Sequence, residues 1–248
     1  MSVQHTSDRK TLLTVIIVSL VYPAALYVVI STLAVTSPMT RYALTVFSAA
    51  VLLGLALWAM NRDGISRESV GWTKARVQQA LAYMVVAWVV LGAAHGLAVG
   101  SLRIGAHVTV PALIQQWLFV GMAEEMLYRG YLLQRLQREF SHWAARKARI
   151  GAVVVSSLLF AAMHIPVRLF NQFSVGALLV SLLWLFVLGI AFSVLYLRTG
   201  NIVFTGLAHG SWNVPLFGVQ GDFFQLIVLF AVVEVAKFRG SLRQKADV

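Results

Sequence analysis

The chain contains no cysteine, only 9 acidic residues in 248, and no more than 12% charged side chains in all. The missing thiols exclude disulfides, a cysteine nucleophile and thiolate metal sites. So few charges cannot cover the surface of a soluble domain of this length, which excludes an ordinary water-soluble globule. Proline is scarce at 5 residues, and no internal repeat, low-complexity tract or polar linker divides the chain. His-Glu-x-x-His, Gly-x-Gly-Asp and Gly-x-Ser-x-Gly are also absent, so the familiar zinc, aspartyl and serine hydrolase motifs give no lead.

What is present is apolar: 59% hydrophobic residues and a mean hydropathy of +0.80. Roughly 20 apolar residues cross a bilayer as a helix, which satisfies its own backbone hydrogen bonds there. The pattern predicts an all-α polytopic membrane protein of about eight transmembrane helices, folded as one membrane domain over residues 1–248. The expected spans are 12–35, 42–60, 80–99, 108–133, 150–165, 174–197, 202–217 and 223–236. The first run is too long for the apolar part of a signal peptide and reads as a retained membrane helix. Segment 166–173 fits either a re-entrant turn or an outer loop.

A net charge of +11 would suggest nucleic acid in a soluble protein. Here the cations lie between the apolar runs, which favours lipid head groups and no nucleic-acid partner. With a cytoplasmic N-terminus, 16 of the 20 Lys and Arg residues fall inside, and Arg41, Arg103 and Arg168 fall outside, with Arg129 within the membrane. That asymmetry supports eight spans with both termini cytoplasmic. The loop 134–149 mixes five basic residues with Leu136, Phe140 and Trp143 and predicts an amphipathic helix lying on the inner leaflet.

Three stretches place ionisable or amide groups inside apolar runs: Glu124-Glu125-Met126-Leu127-Tyr128-Arg129, Phe160-Ala161-Ala162-Met163-His164 and His209-Gly210-Ser211-Trp212-Asn213. Such residues are costly in lipid and default to a functional reading. At about 1.5 Å rise per residue, Glu124, His164 and His209 reach similar depths of roughly 15–25 Å from the basic loops nearest to them. Residues four apart share a helix face, so Glu125 belongs with Arg129, Phe160 with His164, and His209 with Asn213. Glu125 and Arg129 read as a supporting ion pair. Glu124 points about 100° away and reads as the general base toward water. His164 and His209 then admit two roles. With Glu124 they can hold one divalent metal such as zinc, or they can orient water and oxyanion without metal, with Asn213 as amide donor. The residues themselves leave both open.

These motifs, in this order on separate helices, resemble the CAAX-protease and bacteriocin-processing (CPBP) family of intramembrane endopeptidases. Tyr128-Arg129-Gly130-Tyr131-Leu132-Leu133 and Leu197-Arg198-Thr199-Gly200-Asn201-Ile202 add to the resemblance, which covers residues 113–215. It implies a catalytic cavity built by helices four, five and seven, and a glutamate-activated water that hydrolyses a peptide bond in a membrane-associated protein or peptide. Glu124, His164, His209 and Asn213 would be catalytic, with Glu125, Arg129 and Phe160 supporting. Size and short loops point to a prokaryotic cytoplasmic membrane.

Blander readings stand beside these. His95 and His107 read as packing histidines, Ser211 and Trp212 as packing, and Glu234 with Lys237 as a helix-end pair. Gln115 and Gln116 serve either a helix contact or substrate. A proton-coupled carrier would use similar buried groups, but it would often show repeats. A non-catalytic immunity or scaffold protein would tolerate loss of Glu124.

Overall fold

The structure is a computed structural model that describes residues 2–32, 37–102, 104–105, 108–217 and 223–246. Arg103 and His107, together with the end of the first expected span, lie outside the described residues. The described elements are helices: α1 (Ser2–Thr32), α2 (Pro38–Arg62), α3 (Lys74–Val99), α4 (110–139), α5 (Ala145–Ala162), α6 (Ile165–Phe170), α7 (Val175–Thr199), α8 (Ile202–Asn213) and α9 (Phe223–Ala246). No strand occurs among the described residues. The protein is an all-α polytopic membrane protein.

Five helical stretches are long and apolar enough to cross a membrane: Arg9–Thr32, Pro38–Arg62, Lys74–Val99, Ala145–Phe170 and Val175–Thr199. The three other expected spans are helical too, but differently built. Helix α8 has 12 residues, about 18 Å of rise, well short of a bilayer core. Its residues Ile202 to Trp212 are all buried, so it is surrounded by protein rather than by lipid. Helix α9 starts apolar and ends in a basic segment. Helix α4 is continuous, but residues Ile114–Val120 and Met126–Leu132 are wound as π-helix. The Gly121 N–H donates to the Gln116 carbonyl and the Leu133 N–H to the Tyr128 carbonyl, each five residues back. Such wide turns are rare and concentrate at functional sites, and these two flank Glu124 and Glu125.

Helix starts follow capping chemistry. The side chains of Ser37, Thr73, Thr109 and Asn201 each accept from the backbone N–H three residues on, filling donors that would otherwise be orphaned. Gly200 ends α7 at φ +57°, a left-handed conformation that glycine adopts without steric cost.

The chain divides into two compact units, Met1–Val70 with Ala123–Val194 and Gly71–Met122 with Leu195–Val248. In the first unit the C-terminal half of α4 packs against α2 and α5, and α1 packs against α2 and α6. Met126, Leu127, Tyr128, Tyr131, Leu132 and Leu133 are all fully buried there. Asp63, just past α2, pins this packing. Its carboxylate takes the Arg135 Nε at 3.2 Å and the Tyr131 hydroxyl at 2.8 Å, and its carbonyl takes Arg138 at 2.8 Å. In the second unit α8 packs against α3 and the N-terminal half of α4, and α9 packs against α3. Glycine makes that approach close: a Cβ on Gly121 would lie 2.8 Å from the Gly210 nitrogen, and one on Gly210 would collide with the Trp117 backbone. Small residues allow this intimacy between membrane helices.

Two further expectations need correction. Residues 134–149 do not form a separate amphipathic helix. The first of them extend α4 to Glu139, a turn follows, and α5 begins at Ala145. Leu136 is buried, Arg135 is drawn inward by Asp63, and Phe140 stacks at 4.7 Å on Trp143, which itself stays exposed. Glu234 pairs with Arg198 through both carboxylate oxygens rather than chiefly with Lys237. A guanidinium fork matches a carboxylate better than an ammonium does.

Candidate active site

In the first unit, Glu125 and Arg129 form a 2.7 Å ion pair one turn apart, both essentially inaccessible at 0% and 1% exposure. Arg129 also donates from Nε to the Ser193 hydroxyl at 3.3 Å and from its second terminal nitrogen to the Gly189 carbonyl at 2.8 Å. The Phe160 ring lies 4.8 Å from the guanidinium carbon. An arginine in lipid is tolerable on these terms, since each face of the ion is matched by carboxylate, hydroxyl, carbonyl or π-cloud. The pair locks α4 to α7.

Glu124 is the other member of the acidic pair. It is half-buried, and its charge reaches Tyr128 and Tyr27. Tyr128 donates to the Met163 sulfur at 3.2 Å and meets Phe160 edge-on at 5.3 Å. Phe160 in turn meets the His164 ring at 5.0 Å. Glu124 and His164 therefore border the same aromatic pair. The His164 Nδ1 lies 2.8 Å from the Phe160 carbonyl. A carbonyl only accepts, so Nδ1 carries the proton and, in the neutral ring, Nε2 holds the lone pair. His164 sits at the break between α5 and α6, where Pro166 interrupts regular hydrogen bonding,.

The second unit holds His209 and Asn213 on α8. His209 is buried at 5% exposure, and Asn213 is half-buried. The Asn213 amide nitrogen donates to Gln116 Oε1 at 3.0 Å, fixing the amide with one N–H still to offer,. Trp117 donates to the Val214 carbonyl at 3.0 Å and stacks on Trp88 at 4.8 Å. Trp88 and Gln225 both donate to the Ser211 hydroxyl, at 3.3 and 3.0 Å. Ser211 is thus a polar hub rather than mere packing. Asn201 fixes the other end of α8: it caps Phe204 and donates to the Arg76 carbonyl at 2.8 Å.

Sequence reasoning missed the Asp63 cluster, and it left Gln116 open between two roles. The signal for Asp63 was an isolated acid after an apolar run, opposite a loop rich in arginine. For Gln116 no sequence signal separates a helix contact from a substrate contact. A zinc site with open chemistry needs three protein donors and a place for water. Glu124 and His164 belong to one unit and His209 to the other. Within neither unit, among the described residues, do three His, Asp or Glu side chains gather to hold an ion.

Residues 105–215 match the family model described as Type II CAAX prenyl endopeptidase Rce1-like. No curated protein and no solved structure shows a significant match to the chain.

Proposed function

We propose, from the match of residues 105–215 to the Type II CAAX prenyl endopeptidase Rce1-like model, that the protein is an intramembrane endopeptidase of the CPBP family that cleaves membrane-associated proteins or peptides by direct attack of water. The observation that carries the reading is the different treatment of two adjacent carboxylates. Glu125 is consumed by Arg129, while Glu124 stays half-buried beside an aromatic wall. A carboxylate so placed can take a proton at the moment of attack.

The proposed sequence is short. Glu124 removes a proton from water as the oxygen bonds to the scissile carbonyl carbon. His164 accepts the other water hydrogen at Nε2 and so aims the lone pair. His209 and the second N–H of Asn213 donate to the oxyanion, a contribution commonly worth about 2.7–4 kcal/mol per donor. Collapse breaks the C–N bond, and Glu124 returns its proton to the leaving amine. The Glu125–Arg129 pair keeps the helix that carries Glu124 in register. The basic loops support an orientation with both termini cytoplasmic, and small size with short loops supports a prokaryotic membrane.

The test is terminal profiling of membranes from cells producing the active protein or its Glu124→Ala variant. New juxtamembrane or C-terminal cuts are expected only with the active protein. Identical profiles at equal protein levels would overturn the assignment. The metal-bound form of the reading would place a cation such as zinc on Glu124, His164 and His209. One assay separates the two forms. Chelator-treated protein keeps its turnover if Glu124 works on water directly, and loses it, with recovery on adding zinc, if the three hold a cation.

A further inference from the structure

A second site lies in the Gly71–Met122 with Leu195–Val248 unit. A cavity of about 400 Å³ is bordered by three cations, Arg76, Arg198 and Lys237. Arg76 stands in the first turns of α3 and Arg198 in the last turn of α7, at ends of two candidate spans. The cavity therefore lies where lipid phosphates lie. Its floor is polar. Arg76 donates to Gln79 Oε1 at 2.8 Å and to the Thr199 carbonyl at 3.4 Å, and Gln79 donates to the Tyr83 hydroxyl oxygen at 2.9 Å. Tyr83 keeps its own O–H to give.

Charge around the cavity is unbalanced. Glu234 is the one carboxylate paired there among the described residues, and it engages Arg198, with Lys237 one turn away. Arg76 rests on neutral acceptors and makes no ion pair among the described residues. Three cations against one acid, plus a phenol O–H, make a donor-rich cradle for an acceptor-only anion. Val233 and Ala236 of α9 supply an apolar wall, which a free inorganic anion would not use and an acyl-glycerol would.

We propose that this cavity binds the phosphodiester head group of an anionic glycerophospholipid, with the glycerol and upper acyl chain along Val233 and Ala236. Basic pockets between membrane helices recognise such head groups, each cation near the surface contributing about a fivefold preference. This site shares no residue with the proposed catalytic set, so its failure leaves the peptidase reading untouched.

The test uses the full chain in nanodiscs of equal phosphatidylcholine and phosphatidylglycerol, with retained lipids counted by native mass spectrometry. Wild type should retain phosphatidylglycerol in clear excess. In R76Q/K237Q that excess should fall roughly 25-fold, about fivefold for each cation lost. Glu234→Gln, which removes the competing acid, should raise it, and this gain keeps the proposal testable if the double variant is unstable. Millimolar inorganic phosphate should leave wild-type retention unchanged. An equal excess in wild type and in either variant would overturn the proposal, as would displacement of the lipid by phosphate.

Discussion

Purified Glu124→Gln protein is expected to hydrolyse substrate about 10²–10⁴-fold more slowly than wild type, the range that a positioned general base contributes. The loss should fall on kcat, with KM and thermal stability nearly unchanged. Glutamine keeps the size and an acceptor oxygen of the carboxylate, so packing beside Tyr128 survives while the proton acceptor is gone. Glu125→Gln should behave differently. It leaves Arg129 without its anion, so a fall in stability should accompany any fall in rate. Steady-state kinetics together with melting of each variant in detergent separate the two carboxylates. Full turnover by Glu124→Gln would make the assignment of the base untenable.

The largest structural effect is expected from Arg129→Leu. Removing one partner of a buried ion pair typically costs about 3–5 kcal/mol because the remaining charge is stranded. Here the substitution also takes away the donors to Ser193 and Gly189. Arg129→Lys should rescue little, since an ammonium cannot reach carboxylate, hydroxyl and carbonyl at once in the fork geometry of a guanidinium. The double variant Arg129→Leu with Glu125→Leu should recover part of the loss, because an apolar pair of similar volume avoids the stranded charge. Reversible unfolding in mixed detergent reads all three. Equal stability of wild type and Arg129→Leu would show that the pair does not hold α4 in place.

Much of this was legible because lipid punishes polarity. Glu124, Glu125, Arg129, His164, His209 and Asn213 stand out by being ionisable or amide groups within apolar runs, and helix spacing of four is enough to bring Glu125 onto Arg129. The misreadings share a physical cause, competition between partners that lie far apart in sequence. Periodicity cannot show that Asp63 draws Arg135 inward, so 134–149 reads as a surface helix although Arg135 and Leu136 are buried. Nor can it show that Arg198 reaches Glu234 ahead of Lys237. The π-helical turns around Glu124 and Glu125 were invisible for another reason: an extra residue per turn leaves the run continuous and apolar. Span counting by hydropathy also cannot tell a lipid-facing helix from a short one wrapped in protein, which is why α8 reads as a span although it is only 12 residues long.

In the proposed reaction Glu124 and His209 serve a single hydrolytic step. Double-mutant kinetics test it directly, on a substrate identified by terminal profiling. Glu124→Gln, His209→Gln and their combination are compared with wild type. Groups that act as a unit are grossly non-additive, so the double variant should be within about threefold of the slower single variant. A double loss equal to the product of the two single losses, or an undiminished rate in His209→Gln alone, would contradict the account.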